Sequence, residues 1–495
     1  MATNDPLNEA PAAPERPPSL VDALIPVVAL LVLLISAFML FGDAALDGPN
    51  QVALLTCGLI AIAVGIKNRV PWEVLRTAAL EGVASGLGAI FILLAVGALI
   101  GTWAMSGTIV AMVYYGMEIL NPHYFYASAA LLCAVVAFCT GTSWTTAGTL
   151  GIGLMGVAAN MGLSPEITAG AVISGAYFGD KGSPLSDTVN LATVAGGSEL
   201  YRLVREGFWT SIPALLFALG LFALLGTSGN IDYSGTMSGL EQHFNISVWS
   251  FIPLIFVLGL ALLRISPFIT IFLGALLGAV VAMAMNPQAV VALAGDPSLP
   301  TPIALIKGVW SALGTGHRID TGEPAIDTLL SRGGMASMLS TVWLIIAALA
   351  FGAVVERAGL LGRLVDPILH HARTTGALIV AVVVSCIVTN VVAADQYIAV
   401  VLPGRMFKTE FARRGFAPVV LSRALIDTAP VTSALVPWNS CGAYMAATLG
   451  VATLSYVPFA FLCLLSPLIT ILIGFLGIRM VRSDSATAPV SPAST

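Results

Sequence analysis

Charge is what this sequence has least of. Asp, Glu, Lys and Arg make up 9% of its 495 residues, against about 25% in a soluble globular domain. With 57% of the residues hydrophobic, too little charge remains to cover a water-exposed surface. Positive charge is scarcer still: 21 Lys and Arg face 26 Asp and Glu, a net charge of -5. No basic stripe offsets that balance, which excludes a nucleic-acid partner. Cysteine is also sparse. The six (Cys57, Cys133, Cys139, Cys386, Cys441, Cys463) lie mostly in apolar runs and form no Cys-x-x-Cys pair, which argues against a disulfide or metal framework. Residues 1–19 hold one Arg and lack the shape of a signal peptide. They read as a disordered cytoplasmic tail, as do residues 483–495.

What remains is a series of apolar runs, many near the ~20 residues that cross a bilayer core. The expected fold is an all-α polytopic membrane protein. Lys and Arg mark cytoplasmic loops. Lys67, Arg69 and Arg76 follow the runs 20–41 and 51–66, which puts the N-terminus inside, and a run at 82–104 goes out again. The next apolar arm, 124–139, is interrupted at 140–148 and returns through 149–159. About 16 helical residues cover only ~24 Å, so this reads as a re-entrant hairpin. A broken segment, 167–200, leads in to Arg202 and Arg205, and 209–226 leads out.

The second part repeats the order upside down. Runs 248–263 and 267–285 precede a long loop, 286–335, and then 338–356 leads in to Arg357. The arms 376–389 and 397–404 carry positive charge on both flanks, Arg373 and Arg405, and read as a second hairpin entered from the cytoplasm. A second broken helix, 416–450, and a last run, 457–480, follow. The expected organisation is therefore two inverted repeats, 20–227 and 248–482, joined by an extracytoplasmic linker at 228–247. Each has about five spans and one re-entrant hairpin, with discontinuous helices at the midplane and both termini cytoplasmic. Secondary transporters are built on this plan, with the binding site between the paired breaks.

The breaks carry the chemistry. The stretch Gly175 to Asn190 sets Asp180, Lys181, Ser183, Ser186, Asp187 and Asn190 around Pro184, inside an apolar run. The second half offers Asp395, Asp427, Thr432 and Asn439 around Pro430 and Pro437, and proline removes a helical donor and forces such breaks. Thr142, Ser143 and Asn390 stand at the expected hairpin tips. Ionisable groups at bilayer depth are costly and mark functional sites. Carboxylates, hydroxyls and freed carbonyls are the oxygens a dehydrated Na⁺ requires. The expected Na⁺ ligands are Asp180, Asp187 and Asp427, where a proton competes for the same carboxylates. Lys181 is a counter-ion or the anchor of an anionic substrate. Structural readings compete: Asp180–Lys181 or Asp427–Arg423 as ion pairs, and Asn390 and Asn439 as helix caps.

Several strings resemble the NhaC family of Na⁺/H⁺ antiporters, within the ion-transporter superfamily. They are Gly141-Thr142-Ser143-Trp144, the Gly175–Lys181 run, Ser183-Pro184-Leu185-Ser186-Asp187-Thr188 and Asn190-Leu191. Ser331-Arg332-Gly333-Gly334, Asp395-Gln396-Tyr397, Leu402-Pro403-Gly404-Arg405 and Pro437-Trp438-Asn439 belong to the same likeness, which runs from about residue 20 to 480. Thr145, Gly182, Val189 and Ile426 depart from it. The resemblance implies two inverted repeats with hairpins, a homodimer in the bacterial inner membrane, and exchange of Na⁺ or Li⁺ for H⁺ with no cofactor and no enzymatic activity. It also admits sodium-coupled exchange of malate and lactate, which would require fixed cations near the breaks. An intramembrane aspartyl protease is a remote alternative, because Tyr177 occupies the first Gly of the Gly-x-Gly-Asp pattern.

Overall fold

A computed structural model describes residues 17–226, 246–319, 327 and 330–483. The linker expected at 228–247 and most of both tails lie outside the described residues. The described chain is helical apart from one isolated bridge between Phe416 and Arg482. Eight of its helices are long and apolar enough to cross a membrane. The chain is an all-α polytopic membrane protein.

The first helix, Leu20–Phe41, starts at a capping box in which Ser19 and Asp22 satisfy each other's backbone amides. It lies antiparallel to Pro49–Lys67, because Lys67 Nζ returns to Asp22 at 2.5 Å. The run expected at 82–104 is longer than its apolar stretch, with Trp72–Ser85 leading through Gly86 into Leu87–Met105. The loop expected at 286–335 contains two helices packed on each other, Pro287–Ala294 and Thr301–Thr315. Each has proline in its first turn and few charges, so the sequence there shows punctuation more clearly than periodicity.

The interrupted segments are more compact than expected. Helix Phe125–Thr140 ends at Gly141 (φ 75°), and Thr142 caps a new helix from Ser143, which passes through a π-helical turn at Ala147–Gly151 and ends at Asn160. Helix Thr375–Ala393 ends at Ala394 (φ 57°), and Asp395 caps Gln396–Arg413. Asn390 therefore sits in the last turn of a helix and not at the tip. The first broken helix is Pro165–Gly182, four extended or turn residues, then Asp187–Gly196 closed by left-handed Gly197. The second is Pro418–Ile426 with a kink into Ala429–Ser433, a break, then Ser440–Leu449 closed by left-handed Gly450.

These landmarks recur at one interval. Gly141 and Ala394, Thr142 and Asp395, Pro165 and Pro418, Pro184 and Pro437, and Gly197 and Gly450 are each separated by 253 positions. The capping residues Ser186 and Asn439 share the interval and nearly the same backbone angles.

Helix Pro165–Gly182 approaches Phe125–Thr140 closely because it presents glycine to it. A Cβ on Gly175 would lie 2.1 Å from the Ala130 carbonyl, and one on Gly179 would lie 2.2 Å from Phe138 N. Gly175→Val should therefore destabilise the protein by at least ~1–3 kcal/mol through overpacking. Gly88→Ala, which meets open space, should be neutral. Melting temperatures of the detergent-purified variants check this, and equal values for the two would refute the close packing.

Candidate functional site

Asp180 is the carboxylate at which the first turn and the first break meet. It occupies the last turn of Pro165–Gly182 and is buried. Its Oδ2 accepts from Ser143 Oγ at 2.8 Å, and its Oδ1 accepts from Ser186 Oγ at 2.5 Å and Thr188 Oγ1 at 3.3 Å. Ser143 opens one helix and Ser186 stands at the N-cap position of another, its hydroxyl turned to Asp180 and not to the helix amides. The acid thus lies at two helix N-termini, where the backbone dipole favours negative charge. Each hydroxyl that donates to the carboxylate keeps lone pairs, so carboxylate and hydroxyl oxygens together form a hard-oxygen pocket. Thr188 stands inside the Ser183–Thr188 string, where nothing in its spacing distinguishes it from a hydroxyl that bonds its own helix.

The next residue faces elsewhere. Lys181 Nζ forms an ion pair with Asp427 at 2.8 Å, both side chains 0% exposed, and donates to Ser466 Oγ at 2.6 Å. Asp427 also accepts from Thr210 Oγ1 at 2.8 Å and Thr470 Oγ1 at 2.7 Å. Neither pair expected from sequence neighbours forms: Lys181 serves Asp427, and Arg423 lies 3.8 Å from Glu206. Glu206 is shared with Arg479, also at 3.8 Å. Asp427, expected among the Na⁺ ligands, thus has a resident cation. Thr210, Ser466 and Thr470 left no signal in the sequence, because a lone hydroxyl in an apolar helix usually bonds its own backbone.

The remaining candidates divide. Asn390 donates to Ala429 O at 2.7 Å and Thr432 Oγ1 at 2.9 Å, and Asn439 donates to Asn390 O at 3.1 Å. The second turn and second break are therefore joined, as the first pair is, but by amides and a hydroxyl in place of a carboxylate. Several other candidates have local roles. Ser183 Oγ accepts from Leu185 N at 3.2 Å, Asn190 donates to Ser186 O at 2.8 Å, and Thr142 and Asp395 cap helices. Asp187 is exposed at the start of its helix. Asp180, Asp187 and Asp427 are not gathered around one point: among the described residues no three acidic, His or Cys side chains converge. Between the halves, the Trp144 and Tyr444 rings stack at 4.0 Å, and Tyr444 donates to Trp144 O at 2.8 Å.

Removing one member of the buried pair should cost more than removing both. Lys181→Met or Asp427→Leu alone leaves an uncompensated buried charge, worth ~3–5 kcal/mol, and the double variant should recover much of that loss. A thermal-melting double-mutant cycle measures it; additive losses would show that the pair is not coupled.

The sequence profile of the Na⁺/H⁺ antiporter family matches residues 18–187 and 175–478. The chain is 35% identical to the Na⁺/H⁺ antiporter NhaC of Alkalihalophilus pseudofirmus over 92% of this chain and 96% of that one. It is 33% identical to NhaC of Bacillus subtilis, over 82% of this chain and 87% of the relative. A malate-2H⁺/Na⁺-lactate antiporter of Bacillus subtilis is 32% identical over 93% of this chain and 96% of its own.

Proposed function

This chain belongs to the Na⁺/H⁺ antiporter family, and we propose that it exchanges Na⁺ for protons at Asp180. Members of that family are transporters and not enzymes, which disposes of the protease alternative. The observation that carries the site is the buried Asp180 carboxylate ringed by Ser143, Ser186 and Thr188. A proton neutralises that acid, or a dehydrated Na⁺ or Li⁺ takes the carboxylate and hydroxyl oxygens; the two occupants exclude each other. Lys181 and Asp427 serve as an internal clamp beside this site and not as ligands. Asp187, exposed on the adjoining helix, attracts the cation without holding it.

Alternating access between two inverted repeats completes the reading. It draws support from the constant interval between matching helix ends and from the two turn-and-break pairs. Lys67, Arg69 and Arg76 beside the second helix favour cytoplasmic termini. Organic-anion exchange at the breaks has less support, because Lys181 and Arg423 both face carboxylates of the protein itself.

In acidified inverted vesicles, NaCl or LiCl should collapse the pH gradient. Asp180→Asn should lower that response about a hundredfold, the ~3 kcal/mol of a lost charged ligand. Asp187→Asn should retain exchange with a raised Na⁺ requirement. Undiminished exchange in Asp180→Asn would overturn the site.

A further inference from the structure

Four arginines meet around a cavity that cation exchange at Asp180 leaves unused. Arg373, Arg413, Arg414 and Arg482 line a space of about 830 Å³, and Glu410 is the acidic side chain on its wall. We infer that this cavity, together with the apolar groove beside it, holds one anionic phospholipid by its phosphate and an acyl chain.

The carboxylate is already committed. Glu410 accepts from Arg413 Nε and Nη2, both at 2.8 Å, and from Arg414 Nε at 2.6 Å. The exposed Arg373 and Arg482 guanidinium groups have no ion pair or hydrogen bond among the described residues. Four guanidinium groups thus face one carboxylate, and positive charge is left over. A guanidinium stays charged in any protein environment, and its planar fork matches phosphate oxygens. Both free arginines are held through their backbones. Arg414 Nη1 donates to Arg373 O at 3.3 Å. Arg482 pairs with Phe416 in the isolated bridge, where Ala417 N donates to Val481 O at 2.9 Å and Ser483 N donates to Gly415 O at 3.0 Å. An excess of Lys and Arg on one face is ordinary for a membrane protein. That rule does not require arginines from three separate segments to line one cavity.

The position suits a lipid headgroup. Thr375, on the cavity wall, opens the membrane-crossing helix Thr375–Ala393. Ala372 borders both the cavity and an apolar groove of about 430 Å³, which is lined by Ala377, Val380 and Ala381 of that helix and by Phe475 of the last one. Phe475 is 63% exposed, and a Cβ on Gly376 would lie 2.3 Å from its ring. Glycine there lets the ring close on the start of the helix, next to the arginines. A soluble anion would satisfy the arginines and make no use of the groove, whereas a phospholipid engages both. Basic pockets between membrane helices take anionic headgroups in this way.

The test uses the purified full-length protein in non-ionic detergent with no ion gradient, so its outcome does not depend on exchange at Asp180. Dioleoyl phosphatidylglycerol should raise the melting temperature. Dioleoyl phosphatidylcholine, with the same chains and no net charge, should raise it far less, and so should inorganic phosphate. Arg373→Gln combined with Arg482→Gln should weaken the apparent affinity for phosphatidylglycerol at least tenfold. Arg202→Gln combined with Arg205→Gln, at exposed positions outside the cavity, should leave it unchanged. Val380→Trp fills the groove and should also weaken phosphatidylglycerol binding; it decides the matter if the Arg373 and Arg482 double variant does not fold. Equal stabilisation by the two lipids, a phosphate effect as large as that of phosphatidylglycerol, or equal losses in the two arginine double variants would overturn the inference.

Discussion

A lysine and an aspartate that meet where no water reaches tie the two parts of this chain together. Taking both charges out of water is expensive, and their attraction compensates only when the geometry is good and the spare valences are filled. Thr210, Thr470 and Ser466 fill them. The arrangement tolerates little drift, because moving either helix would strand a charge. Asp180 precedes Lys181 on the same helical turn, and consecutive residues on a helix point in different directions. The proposed cation site and the clamp are therefore two faces of one turn. Any displacement of that turn also loads the clamp.

Much of this was legible in the sequence, for identifiable reasons. Charge scarcity and apolar runs fix the environment. Pro184 and Pro437, with polar residues on both sides, mark the breaks because a membrane helix has few other reasons to hold them. The partners of the buried charges were not legible. Lys181 lies beside Asp180 and Arg423 lies one turn from Asp427, so local spacing proposes the wrong pairs. The pair that forms joins residues from opposite parts of the chain, and only packing reveals it. Asp395 misled differently. An acid at a helix break reads as an ion ligand, yet here it satisfies the first amides of the following helix, the commonest use of Asp at that position.

Hydroxyls carry the rest. Among the three polar junctions, only the Lys181–Asp427 clamp brings two full charges into contact. Ser143, Ser186 and Thr188 around Asp180, and Thr432 between Asn390 and the kinked helix, are neutral groups that can donate or accept. Such groups reorganise around a proton or a metal cation with little penalty. A site lined by further fixed charges would favour one occupant too strongly to exchange it.

The recurring interval of 253 positions has a bearing on stoichiometry. Carried through the breaks, it sets Asp180 opposite Ser433 and Asp427 opposite Ser174. Neither buried acid has an acidic counterpart at that interval. The helix ends recur at that interval, but these two acids do not. Asp427 meets the Lys181 ammonium, whereas Asp180 is met, among the described residues, by hydroxyls alone. With Asp180 as the proposed exchange site, the chain has one carboxylate seat for Na⁺ or a proton where a perfect duplicate would have two, and that would bound the charge carried in a single turnover.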